Sequence, residues 1–239
     1  MHRGRALLFG VLMLFALGSF AASTASATSS TSVLLLPGDV FPVLFSSLPS
    51  DQPNNGIESE LQNAAGTLKG KGFLLQGDIT SPTGGLYEVL FLEVFEPPIA
   101  NRVRCNTAGD GTGEVLVPHA GFHIVHDINS LSGIGILFLV PEFEMRCTGG
   151  ISIKIRGHAL ALVEGLTNGV EILQLVLAHL HCSATLGLPE DIHYWTSLLS
   201  SELEALLLAN FGTGFRRVCE EIKGKIHIDF SKMIEIMNP

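Results

Sequence analysis

Ile151, Ile153 and Ile155 alternate with Ser152, Lys154 and Arg156, and this period of two restricts the fold more than any other feature of the chain. Successive side chains of an extended strand point to opposite sides, so such a stretch offers one face to a core and one to water. The same grammar recurs. Segments 72–80, 86–96, 103–106, 114–117, 122–128, 134–140 and 142–147 are strand-like, each followed within three residues by Gly, Pro or Asn. Pro118 and Pro141 read as strand ends, because proline cannot donate to a ladder. Ile226, Ile228 and Phe230 alternate with Lys225, His227 and Asp229 in a closing strand, and 233–236 reads as another. Segments 171–181 and 189–210 differ, being Leu-rich runs with helix formers such as Glu202, Leu203, Glu204 and Ala205, so at least one helix is expected there. The fold expected is mainly β: a two-layer antiparallel sandwich with some helix in the C-terminal third and two disulfides.

The N-terminus sets the compartment. Residues 1–5 are basic, 6–20 form an apolar run, and Ala25-Ser26-Ala27 supplies the small residues of a signal peptidase site. The run is shorter than the roughly 20 residues that a membrane-crossing helix needs. Residues 1–27 are therefore expected to be a cleaved signal peptide, and the mature protein to be secreted or extracytoplasmic with no membrane span. Residues 28–60, broken by Pro37, Pro42, Pro49 and Pro53, read as an extended lead-in to a β-rich domain over 61–239. A weak echo divides that domain into 61–165 and 166–239. The first copy runs from 89–95 through Cys105 to 113–117, the second from 205–211 through Cys219 to 224–228. Strand grammar alone would produce much the same echo.

Charge excludes some partners. The leader's Arg3 and Arg5 account for two of the 14 basic residues, so 12 remain against 23 acidic ones. An acidic chain has no cationic footprint for phosphates, which argues against nucleic acid and against docking on anionic lipid. At 46% apolar and 15% charged, the chain is far from the composition of disorder.

Four cysteines permit three pairings. Sequence neighbours pair most simply, Cys105 with Cys147 and Cys182 with Cys219, each bridge adding roughly 3–4 kcal/mol on the chain-entropy model. The alternative is a metal or redox site. No Cys-x-x-Cys occurs, the spacings exceed those of zinc motifs, and export favours oxidation.

Candidate chemistry is sparse. His119, His123 and His126 form the densest titratable cluster, and on a strand only the first two share a face. His179 and His181 would share another, so His119, His123, His179 and His181 are the candidate metal ligands, against solvent-facing histidines as the plainer reading. Asn106, Asp110, Thr112 and Glu114 place oxygens at a spacing that could touch calcium, although a tight turn explains the intervening glycines. Glu88, Glu93 and Glu96 could supply a glycosidase pair or simply face water. Tyr194-Trp195 could anchor a partner, with core packing the alternative. No nucleophile elbow, phosphate loop or His-Glu-x-x-His occurs, so no catalytic residue is assigned and no cofactor is implied.

Residues 61–63, the stretch from Cys105 to Val117, 136–140 ahead of Cys147, and Lys154-Ile155-Arg156-Gly157 together resemble a family of exported, functionally uncharacterised bacterial β-rich proteins. The resemblance covers roughly 61–165, with weaker support over 211–228. It implies secretion and a β-rich fold, and carries no activity. The expected function is a non-catalytic binding or structural protein, secreted or envelope-associated, whose partner is a protein or an envelope component. The alternative is a secreted hydrolase using carboxylates or a histidine-bound metal.

Overall fold

The computed structural model describes residues 32–47, 58–63, 66–96, 103–126, 134–166, 170–179, 193–196, 199–204, 207–223 and 225–237. Among them every regular element is a strand. In chain order these are β1 (Ser32–Leu35), β2 (Val43–Ser47), β3 (Glu58–Asn63), β4 (Gly66–Gly70), β5 (Phe73–Ser81) and β6 (Gly84–Phe91). They continue with β7 (Phe95–Glu96), β8 (Val103–Thr107), β9 (Val115–His126), β10 (Ile134–Cys147), β11 (Ile151–Glu164) and β12 (Glu171–His179). The last are β13 (His193–Thr196), β14 (Leu199–Glu204), β15 (Leu207–Asn210), β16 (Phe215–Arg217), β17 (Cys219–Lys223) and β18 (Ile226–Met237).

Eight of these strands close into a ring. β2, β5, β6, β9, β10, β11, β12 and β18 each pair antiparallel with the next, and β18 returns to β2 with Ile228 opposite Ser47. A second ring takes nine, β3, β4, β7, β8, β10, β11, β15 and the consecutive β16 and β17, which return to β3 with Cys219 opposite Gln62. β10 and β11 serve both rings: β10 meets β9 at Phe138 and β8 at Cys147. β4 runs on into β5, and β6 into β7, and the step between them is bridged by backbone hydrogen bonds from Lys71 to Leu92 and from Leu92 to Gly72. Two long hairpins thus run the length of a tube, and shorter strands complete each end. Where two open, facing sheets were expected, the ladders of the two rings close on themselves, and β1 and the β13–β14 hairpin lie outside them.

The long strands bend where one ring gives way to the other. Three steps of β10, from Val140 to Phe143, face two of β11, from Gly157 to Ile155. Likewise three steps of β9, from Val117 to Ala120, face two of β6, from Val89 to Tyr87. Each is a bulge, and each contains a proline, Pro141 or Pro118. A bulge leaves one residue out of the ladder, so the missing proline N–H costs nothing there. These prolines therefore sit inside long strands, and reading them as strand ends was incorrect. Gly157 has φ of 125°, a conformation that a side chain would strain. Gly77 is required by space: a Cβ would lie 2.2 Å from the Leu86 carbonyl oxygen and 2.6 Å from Cζ of Phe45.

Each ring has its own apolar filling. Val43, Tyr87, Ile134, Leu177 and Ile234 are buried in the first, where Phe45 meets Phe122 edge-on at 5.6 Å and Tyr87 meets Phe138 at 4.8 Å. Such aromatic pairs are worth about 0.5–1.5 kcal/mol beyond their buried area. Leu68, Cys105, Met145, Ile153 and Ala209 fill the second. Phe91, Val140 and Phe143 pack against both cores and mark the waist. On the outside of β10 and β11, Glu142 pairs with Arg156 at 3.2 Å and Lys154 at 3.8 Å. The Ser152 hydroxyl donates to Glu144 at 2.5 Å and holds its carboxyl below the usual range, helped by the charges of Arg146 and Lys154. Elsewhere the outer wall is apolar: Val125, Leu137 and Leu160 form a third buried cluster with Leu139 and Leu162 against it, and Leu44 is exposed.

The helix expected in the final third is absent among the described residues. β12 buries Leu175 and Leu177 toward the first core, and β15 buries Leu207 and Ala209 toward the second. Leucine and glutamate favour helix only weakly, and pairing with β11 and β18 overrides that preference. The 28–60 stretch, read as a lead-in, supplies β1, β2 and the start of β3. β1 and β2 lie in succession along one side of β18, against Ile234–Met237 and Ile228–Phe230 respectively.

Candidate functional site

Strand alternation decides what reaches the interior at the waist. Along β11, residues 153, 155, 159 and 161 face inward while Lys154, Arg156 and His158 face outward. Ala159 and Ala161 are small, and opposite them β9 and β6 bring Val117 and Val89 across the tube. The result is a cavity of about 130 Å³ where the two cores meet. Leu75, Tyr87 and Leu177 line it from the first ring, and Leu68, Val115 and Met145 from the second. Val89, Phe138, Val140 and Ala159 point inward yet keep accessible surface, which is the wall of this space.

Ser59, Glu60, Lys69 and Tyr87 are the polar residues along the cavity, and alternation with Leu61 and Leu68, which pack inward, sends Glu60 and Lys69 to the outer wall. Lys69 Nζ lies 3.0 Å from Glu60 Oε2, so these two charges answer each other. The Tyr87 hydroxyl donates to the Leu139 carbonyl at 3.2 Å. The lining is therefore apolar apart from the buried Ser59 hydroxyl on the same face as Leu61.

The histidines lie elsewhere. His119 and His123 share the outer face of β9, as alternation requires, and His126 takes the opposite parity at the rim. His119 Nδ1 is 4.0 Å from Glu88 Oε2. An open concavity outside the waist is bordered by His119, Glu142, Arg156 and His158. Burial lowers the pKa of His158, and the neighbouring His123 adds to this. Arg156 stacks over the Phe215 ring at 4.1 Å and donates to Glu142. The backbone of His179 pairs with Ala161, and nothing is described of its side chain; His181 lies outside the described residues. Among the described residues, no three His, Cys, Asp or Glu side chains gather as metal ligands would. His158 was missed in the sequence, although it continues the outward alternation of Ser152, Lys154 and Arg156.

The remaining candidates are tied to local structure. In the 107–114 turn, the Thr107 hydroxyl bonds the Asp110 carboxylate, Glu114 Oε2 accepts from the Gly111 N–H at 3.0 Å, and the Leu116 N–H donates to Thr107 Oγ1 at 2.9 Å. These oxygens close the turn that the glycines predict. Glu88 faces Gln76 and His119, and Glu93 faces Lys71 at 3.7 Å, so each carboxylate has its own neighbour. Trp195 pairs through its backbone with His126, which brings the β13–β14 hairpin beside β9. Cys105 and Cys147 are bonded directly across β8 and β10, inside the second ring at 0% and 5% exposure. Cys182, the expected partner of Cys219, lies outside the described residues. Comparison with protein families, curated proteins and solved structures gave no match, so the barrel and its waist cavity are the ground on which function is argued.

Proposed function

We propose that this is an exported, non-catalytic binding protein that holds its ligand inside the barrel. The observation that carries the reading is the apolar cavity at the waist. An unfilled space of 130 Å³ costs about 3 kcal/mol, at roughly 24 cal/mol per Å³. A larger residue at Ala159 would reduce that cost by a single substitution. A closed barrel that keeps such a space is a suitable receptacle. The resemblance to exported bacterial proteins agrees with this reading.

Export is supported by the leader at 1–27 and by the Cys105–Cys147 bridge, since disulfides persist where the surroundings are oxidising. A second bridge between Cys182 and Cys219 belongs to the same proposal. The hydrolase alternative finds less support: Glu88 and Glu93 answer separate neighbours, and the described histidines His119 and His123 stand on the outer wall. Protein isolated from the medium without detergent should release a stoichiometric small molecule on denaturation, identified by mass spectrometry. Its intact mass should lack the leader and show no alkylated thiol. Material that releases nothing would overturn the binding role, and uncleaved material with free thiols would overturn export.

A further inference from the structure

We infer that the waist cavity takes a small, uncharged, apolar molecule about the size of a single six-membered ring. This rests on the binding role proposed above and names the class of ligand. Three observations converge on it.

The first is size. A protein cavity of roughly 150 Å³ lined by Leu, Ile and Phe accepts benzene or xenon and otherwise stays dry. The waist cavity, at about 130 Å³, has a lining of the same kind. The second is polarity. The Lys69 and Glu60 charges face each other at 3.0 Å, and the Tyr87 hydroxyl is bonded to the wall at Leu139. A charged or sugar-like ligand would lose its water there and meet no charged partner and a single lining hydroxyl besides Tyr87, that of Ser59, which is unfavourable. The third is location. The space lies where two separately packed cores meet, between side chains such as Leu75 and Leu177 on one side and Val115 and Met145 on the other. An occupant would touch both rings at once, and binding to the folded form alone would raise stability.

Benzene is the probe. In the full mature protein it should raise the melting temperature saturably. It should also shift the methyl NMR signals of Leu75, Val115, Val117, Met145, Leu177 and Ile226, while those of the exposed Leu34 and Leu44 stay in place. Ala159→Leu should weaken benzene binding at least tenfold, and Leu44→Ala should leave it unchanged. The methyl shifts of the unmodified protein test the site even if Ala159→Leu folds poorly. Near-saturating benzene that moves neither the melting temperature nor these methyls overturns the inference, as do shifts confined to the outer leucines. The compound released from native protein separates the two claims. A charged or sugar-like compound, with benzene inert, keeps the binding role and overturns the apolar class. Benzene inert and nothing released overturns both.

Discussion

Single side chains in this barrel take their properties from which wall they face. His158 faces outward at the waist, half-buried, beside His123, and burial first and that neighbour second hold its pKa below the usual histidine range. Below the ordinary histidine value of about 6.5 the unfolded chain gains a proton that folded His158 resists. Stability therefore falls as pH drops from that value toward the lowered folded one, and the effect levels off beneath both. Urea midpoints measured at about pH 7 and about pH 5 should fall in the unmodified protein and fall less in His158→Gln. Equal falls would place the sensitivity in other groups. The outward pairing of His119 with His123 was legible from spacing alone. The depression at His158 was not, because burial on the outer wall depends on strands far away in sequence.

At the scale of strands, alternation could be read off the residues, while its interruptions were misread. Ile153 and Ile155 face the core as their spacing predicts. Val-Pro occurs at both 117–118 and 140–141, and in both places the proline sits in a bulge within a long strand. Proline marks a missing donor, and a missing donor suits a strand's end and a strand's bulge equally well. The helix expected near 205 failed for a related reason: Leu207 and Ala209 take their conformation from β11 and β16, which the local sequence does not reveal. The bulge also sets the facing of everything beyond it on β10. Glu142 lies within the bulge, so deleting it should leave two steps facing two, with Phe143, Met145 and Cys147 still on the inner wall. The variant should keep the Cys105–Cys147 bridge and show no additional reactive thiol by alkylation and mass spectrometry. Two additional reactive thiols would mean that the strand had slipped to its other face. β8 then β9, and β16–β17 then β18, each pass from the second ring to the first.

For the molecule as a whole, the sharing of strands matters more than the number of rings. β10, β11 and the two continuous strands β4–β5 and β6–β7 belong to both rings, so unfolding any of these shared strands breaks ladders of both. Amides of Leu75 and Ile228 in the first ring should exchange with the same free energy as those of Leu68 and Ile153 in the second. A first ring that exchanges separately would show that the shared hairpins do not couple them. Closure itself was illegible, because the β2–β18 contact joins residues such as Phe45 and Phe230 that no local pattern connects.

The last ladder sets Ser32 opposite Met237, with β1 and β18 running in opposite directions. Tension applied between these two residues would draw the strands apart like a zip, one backbone bond at a time, and would not load the whole ladder in shear. Mechanically, the tube's seam is weak at that corner: a modest pull peels β1 from β18 and leaves the remaining staves of both rings in place.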